Sequence, residues 1–559
     1  MKSLSISLLA FIVCISVSGC RTRDKEAQMQ QFITAHVQKI KPLAKQANLA
    51  SWKAANSGDP QDYKTASELE LEIRRIYTDA NDFAFLKSTR ESGRVKDHVL
   101  ARQLDRLYYA YLRNQIEPNL LKTIVELSTD IEKNFSTFRP SLAGRKVTDN
   151  EIREILKTET DTAARKQAWL AGKQVGAVVA PDLIRLVKLR NKAARQVGFE
   201  NYHTLSLTAA EQDVEELDRL FENLYELTSK PFKTLKADLD RVLADMYGVE
   251  VEQLGPWHYH DPFFQEAPLV YELDLDAYYE EKDLEQLAAQ FYESIALPVD
   301  DVLKRSDLYE RQGKNPHAFC TDIDRQGDVR VLANLKHNEQ WMDTMLHELG
   351  HAAYDKYHDP NVPYLLRRPA HIFTTEAVAM LFGRLSRNPA WMQHMLELSE
   401  QEKNKLDRPC RRYARLKQII FARWAMVMYD FEKRLYADPD QDLSSLWWKL
   451  VEHYQLVNKP QGRDQPDWAA KIHFTTAPCY YHNYVLGELL ASQLHSHIVQ
   501  NVLKLDSELQ LNYVGRTEIG DFLRKNVFEP GAVYHWNEMI QRATGEPLNP
   551  EYFIAQFVN

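Results

Sequence analysis

The chain has 559 residues, 44% of them apolar and 27% charged, with a formal net charge of −9. That composition excludes a disordered acidic chain, and the acidic balance gives no support to a nucleic-acid-binding protein. Mean hydropathy is −0.48 and only one stretch is apolar enough to enter a bilayer, which excludes a multi-span membrane protein.

That stretch opens the chain. Lys2 precedes an apolar run from Leu4 to Val17, which has the proportions of a secretory signal rather than of a spanning helix. It ends Val17-Ser18-Gly19-Cys20, which resembles the bacterial lipobox. The resemblance implies a signal peptide over 1–19, cleavage before Cys20, lipidation of Cys20 and a membrane anchor in the cell envelope. Residue 21 is Arg rather than Asp, which by similarity to enterobacterial sorting implies the outer membrane, facing the periplasm. The alternative is an ordinary signal peptide that happens to contain a cysteine.

From about residue 25 the pattern is helical almost throughout. Segments near 25–55, 63–115, 149–196 and 211–246 alternate apolar and charged residues at helical spacing. Turn signals stand at Ser57-Gly58-Asp59-Pro60, Arg139-Pro140-Ser141 and Gly255-Pro256-Trp257. One region reads as a β-hairpin: His317 to Asp324 and Val329 to Leu335, around Arg325-Gln326-Gly327-Asp328. Helix resumes at Asn338, a natural N-cap, and should stop before Asp359-Pro360. Further helices are expected at 375–387, 397–437, 442–454, 480–502 and 515–527. With no internal repeat or long linker, residues 20–559 are expected to form one mainly α-helical domain. Beyond Cys14 and Cys20 only Cys320, Cys410 and Cys479 remain, so at most one disulfide forms among them. Cys320 follows His317 closely, but no Cys–His signature surrounds it, and a small buried residue is the simpler reading.

The helix after the hairpin carries His347-Glu348-Leu349-Gly350-His351. Two His at i and i+4 project from one helix face and can bind a single Zn²⁺, with Glu348 beside the attacking water. Trp341, Met345, Leu346, Leu349, Ala352 and Ala353 make this a largely buried helix, where a polar trio is costly unless paired or metal-bound. A catalytic zinc needs a third protein ligand. Glu376, in the otherwise apolar Thr374-Thr375-Glu376-Ala377-Val378-Ala379, is favoured over His358, which lies nearly two turns past His351 and reads as a surface residue, and over His371, which precedes the helix.

At this point the sequence resembles the angiotensin-converting-enzyme family of zinc peptidyl-dipeptidases, and its bacterial members in particular. The resemblance runs from about Trp257 to Leu490 in ordered blocks: Pro316-His317-Ala318, the zinc helix, Glu376 in its Glu-Ala-Val context, and Lys471-Ile472-His473 followed by Pro478-Cys479-Tyr480-Tyr481-His482-Asn483-Tyr484. It implies a zincin-type helical body divided by a deep substrate channel, with N-terminal helices forming a lid. Short peptides are the implied substrates. By the same resemblance Lys471 and Tyr481 grip a peptide's terminal carboxylate. Tyr484 stabilises the oxyanion, His473 and His317 donate to the substrate backbone, and the strand at Ala318 offers an edge to an extended peptide. Glu348 acts as general base, and C-terminal dipeptides are released. The alternatives are a zinc oligopeptidase or dipeptidase on the same scaffold, a catalytically silent peptide-binding lipoprotein, and a helical scaffold with an accidental zinc motif.

The match breaks in three places. The family's clamp includes a Gln just after a Trp, whereas Trp257 is followed by His258-Tyr259-His260 and the next Gln is Gln265, after two Phe. The family Asp that supports the zinc site is replaced by Met380; Asp343 and Asp355, at i−4 and i+4 from the two His, are candidate replacements or plain surface carboxylates. The positions where animal enzymes hold chloride with Arg correspond to Val451 and Asn483, neither of them cationic. Little chloride activation is therefore expected. A several-fold rise in rate with added NaCl at constant ionic strength is the result that contradicts it.

Overall fold

The structure is a computed structural model that describes the backbone of residues 4–268, 270, 273–506 and 511–558, and the side chains in those spans from residue 24 onward. The expected signal peptide and Cys20 lie outside the residues whose side chains are described. The chain is 69% helical, as its periodicity dictates, with two small sheets among the described residues. Among the described residues no helix is long and apolar enough to cross a membrane.

A long first helix, α1 (Leu4–Ser57), is followed by shorter helices at Pro60–Tyr77, Ala80–Glu91 and His98–Leu112. The periodicity predicted one run over 63–115. Asp79 and Asp97 break it, because each carboxylate accepts backbone N–H groups and starts a new helix. A helix at Pro118–Thr137 falls outside the predicted segments; Pro118 sits at its first turn and Glu117 caps it. The first hairpin pairs β1 (Ser141–Leu142) with β2 (Arg145–Lys146). The predicted 149–196 segment is likewise two helices, Asp149–Thr158 behind a Thr148–Glu151 capping box and Thr162–Gln196 behind Asp161.

The second hairpin, β3 (Phe319–Asp322) with β4 (Val329–Leu332), lies where the Gly327 turn placed it, with Gly327 at φ +98°. Beyond β4 the chain from Asp307 covers its outer edge, through Asp307 N–H to the Val331 carbonyl and Ala333 N–H to the Asp307 carbonyl, both 2.9 Å. Among the described residues no other strand pairs with β3.

The zinc-motif helix α2 (Glu339–Lys356) starts at the expected cap: the Asn338 side chain accepts the Trp341 N–H at 3.0 Å. Its apolar face, Met345, Leu346, Leu349, Ala352 and Ala353, is fully buried in the main core. Helix α3 (Ile372–Gly383) packs against it, and α4 (His482–His497) packs on the far side of α3. Small residues set these spacings. A Cβ on Gly350 would stand 2.8 Å from Ala379 Cα and 3.2 Å from the Val378 carbonyl oxygen. One on Gly487 of α4 would stand 3.1 Å from Met380 Sδ and 3.2 Å from Glu376 Cβ. Met380 thus faces the closely approaching α4 backbone, where an apolar side chain suits the contact.

A second, smaller core joins the N-terminal helices, with Met29, Ile33, Ile40, Leu100, Leu104, Leu107 and Tyr111 buried together with Tyr364 and Leu365 of the body. Through it α1 lies over the hairpin turn. Lys45 pairs with Asp324 at 2.9 Å, and the Asn48 amide donates to the carbonyls of Asp322 and Ile323 at 3.1 Å.

Replacing Gly350 by Ala overfills the contact between α2 and α3. It should cost about 1–3 kcal/mol of stability, as overpacked core positions do, read as a lowered melting temperature. A variant as stable as the parent would show that the contact is not tight.

Candidate metal and peptide site

Helix geometry puts His347 and His351 on one stripe of α2 with their rings 4.9 Å apart. Glu376, just over one turn into α3, points across the Gly350 contact at both. Its Oε2 lies 3.6 Å from His347 Nε2 and 3.8 Å from His351 Nε2. These three side chains form one group whose ligand atoms lie within 4.8 Å of one another. His351 Nδ1 is held by the Thr375 hydroxyl at 2.7 Å, which leaves Nε2 to face Glu376.

Burial governs the electrostatics. Desolvation pushes His347 down to about 4 and His351 well below its ordinary value, so both imidazoles are neutral, the form that ligates. Burial, with the Glu488 charge, raises Glu376 to about 7, and burial, with the Glu376 charge, raises Glu348 to about 8. The Cys320 amide on β3 acts on Glu348 in the opposite sense, favouring its ionised form. Two carboxylates and two neutral imidazoles are thus crowded into a weakly solvated site. A divalent cation fits that donor set: two nitrogens and an oxygen, with room for a further ligand.

From Glu376 a continuous row of side chains leads away along the protein interior. The Tyr480 hydroxyl hydrogen-bonds Glu376. The Tyr480 and Tyr484 rings are 5.3 Å apart, Tyr484 and Tyr481 5.4 Å, and Tyr481 and His473 5.1 Å. Tyr484 is half-buried, and its hydroxyl pKa is raised by burial and then by Glu376. His473 Nδ1 is buried with no hydrogen-bond partner, and burial lowers the ring to about 4.

The row ends at Lys471. Its ammonium sits 5.4 Å from the Phe263 ring centroid and 5.2 Å from those of Trp424 and Tyr481, and donates to Gln265 Oε1 at 2.5 Å. Burial lowers it to about 8. The Tyr481 hydroxyl accepts from Trp424 Nε1 at 2.8 Å. Gln265, whose sequence position departs from the family spacing, therefore reaches the Lys471 side chain. The buried Asp261 carboxylate makes this happen by accepting the N–H groups of Phe263, Gln265 and Glu266 at 2.9, 2.6 and 3.0 Å, which folds the intervening loop back.

The remaining sequence candidates fall as follows. His317 is exposed just before β3, its N–H bonded to Asn315, and Ala318 is half-buried at the start of the strand. His371 caps α3, accepting the Phe373 N–H at 3.3 Å, and does not join the His347 group. His358 is not a surface residue: it is buried, and together with Asp355 it faces Asp322. Asp343 faces Gly383 and Arg387, while His351 is supported by Thr375. Thr375 and Tyr480 stood inside the quoted blocks without a role of their own, and Trp424 carried no motif. Cys320, Cys410 and Cys479 are free thiols, and burial with nearby carboxylates raises Cys320 well above its ordinary value, which leaves it no nucleophile. Asn483 accepts from Gln212 Nε2 at 2.8 Å, and Val451 is buried in the aromatic core.

Comparison with known proteins places the site in context. Residues 155–559 match the model of peptidase family M3, and residues 23–260 match that of angiotensin-converting enzyme. The chain is 22% identical to an angiotensin-converting enzyme-like protein of Mus musculus, covering 98% of this chain and 78% of that one. It is also 22% identical to an angiotensin-converting enzyme of Haematobia irritans exigua, covering 99% and 96%. Thermostable carboxypeptidase 1 of Pyrococcus furiosus is 20% identical over 88% of this chain and 97% of its own.

Proposed function

This chain belongs to the angiotensin-converting-enzyme-like family of zinc metallopeptidases, and from that membership we propose that it releases C-terminal dipeptides from short peptides. The observation that supports this reading is the unbroken row from the His347–His351–Glu376 group through Tyr484, Tyr481 and His473 to the buried Lys471–Gln265 pair. A buried ammonium, with an amide beside it and a phenol ring against it, suits a peptide's terminal carboxylate. A substrate gripped there reaches the metal group only with its C-terminal end, which makes the enzyme an exopeptidase of the carboxyl side.

His347, His351 and Glu376 would hold one zinc ion. When bound, zinc supplies Lewis acidity that polarises the scissile carbonyl and eases deprotonation of water. Glu348 takes the proton from the attacking water and passes it to the leaving amine. Tyr484 donates its hydroxyl hydrogen to the developing oxyanion, and His473 donates to the substrate backbone. The start of β3 at His317 and Ala318, on the edge that no other strand among the described residues pairs with, accepts the extended peptide as a further strand. Helix α1 over the hairpin turn restricts entry to short chains.

A second reading, release of a single C-terminal residue, draws support from the carboxypeptidase of Pyrococcus furiosus; it uses the same clamp, and product mass separates the two. Glu348→Gln should keep its zinc while the turnover rate falls by about 10²-fold or more, the usual worth of a positioned acid–base group. Near-normal turnover removes Glu348 from the role. Amidating the substrate's C-terminus should abolish cleavage in the wild type, with dipeptide as the product from the free acid. Equal cleavage of both forms overturns the clamp and favours an internal-cleaving oligopeptidase.

A further inference from the structure

The polar stripe of α2 does not end at His351. Asp355 follows at i+4, about 6 Å further along the axis at the helical rise per residue. His358 lies just past the helix end and Asp322 at the end of β3. The ligand atoms of these three side chains lie within 4.8 Å of one another, and none belongs to the group around Glu376.

His358 is only 9% exposed, and neither ring nitrogen completes a hydrogen bond, although the Asp355 carbonyl lies near enough to influence the ring. The ring lies tilted against Tyr354, at 5.6 Å between centroids and 59° between planes, and close to the backbone of Gly531. Asp322 uses one carboxylate oxygen to accept the N–H groups of Asp324 and Arg325, at 3.2 and 2.8 Å. Among the described residues no ion pair reaches Asp355 or Asp322; Arg325 and Arg368 act on Asp355 only at longer range. Cys320 stands between the two groups: its backbone amide bonds Glu348, and Asp355, Glu348 and Asp322 all raise its thiol further after burial. Two half-buried carboxylates therefore converge on a buried imidazole whose ring nitrogens have no partner, and buried polar atoms left unsatisfied are costly.

We propose that Asp322, Asp355 and His358 form a second divalent-metal site, one helical turn along α2 from the first. Two carboxylates and an imidazole are the mixed oxygen–nitrogen set preferred by zinc and manganese over calcium. The site stands independently of the peptidase reading, since it shares no ligand with the His347 group.

The test is a metal count by mass spectrometry on the full chain, stripped with chelator, reloaded with Zn²⁺ and gel-filtered. The wild type should carry two zinc ions per chain. The double variant Asp355→Asn, His358→Gln should carry one, and so should His347→Ala combined with Glu376→Ala, each having lost a different ion. One ion in the wild type, or an unchanged count in the Asp355/His358 variant, overturns the proposal. Should that variant fail to fold, anomalous scattering at the zinc edge from wild-type crystals decides between the same two outcomes. Two peaks are expected, one of them between Asp322 and Asp355, and a single peak at His347 is the contrary result.

Discussion

The architecture turns on the contact between α2 and α3 at Gly350. Metal chemistry needs a third donor opposite two imidazoles on one helix, and the donor must come from a different element held at a fixed distance. With Gly350 in α2 and Ala379 in α3, the two backbones touch where side chains would otherwise keep them apart. Glu376 then projects into the His347–His351 stripe without stretching. The same economy recurs one layer out, where Gly487 lets α4 close on the back of Glu376. Helix α4 begins at the tyrosines, so this second contact also fixes how far Tyr484 and Tyr480 stand from the metal group.

Burial makes the site chemically tense as well as rigid. The imidazoles are driven neutral and the carboxylates of Glu348 and Glu376 are driven up because water that would stabilise their charges is excluded. A cation relieves all of these at once. Lys471 is the mirror image: a buried ammonium set against aromatic faces and one amide oxygen, where burial lowers its pKa and the Asp261 and Glu266 carboxylates act in the opposite sense. The two ends of the row thus differ in sign: carboxylates and neutral imidazoles that suit a cation stand at one, and a buried ammonium at the other.

Much of this was legible in the chain. The spacing in His347-Glu348-Leu349-Gly350-His351 dictates a shared helix face, Asn338 announces the helix start, and Gly327 marks the hairpin turn. What stayed hidden is what depends on contacts between distant segments. Gln265 lies out of register with the family's clamp, and only the loop folded around Asp261 returns it to Lys471. His358 reads as surface, and Asp355 as either a support of the zinc site or a surface carboxylate, because their spacing along α2 says nothing of Asp322, which arrives from a hairpin earlier in the chain. Helix ends were misplaced for a local reason: at Asp79, Asp97 and Asp161 a single capping carboxylate restarts the helix inside a run whose periodicity scarcely changes.

Strand β3 ties these elements together. Its inner neighbour β4 is pinned by the chain at Asp307, its turn is covered by α1, and its residues reach both polar clusters: Cys320 towards Glu348, and Asp322 towards Asp355 and His358. A shift of one residue in the β3–β4 register would turn Cys320 and Asp322 to the opposite face. The salt bridge and amide contacts from α1 to the hairpin turn oppose such a slip. The N-terminal helices therefore do more than pack on the body: by fixing the hairpin turn they fix the strand beside which Glu348 and the Asp322–Asp355–His358 cluster are aligned.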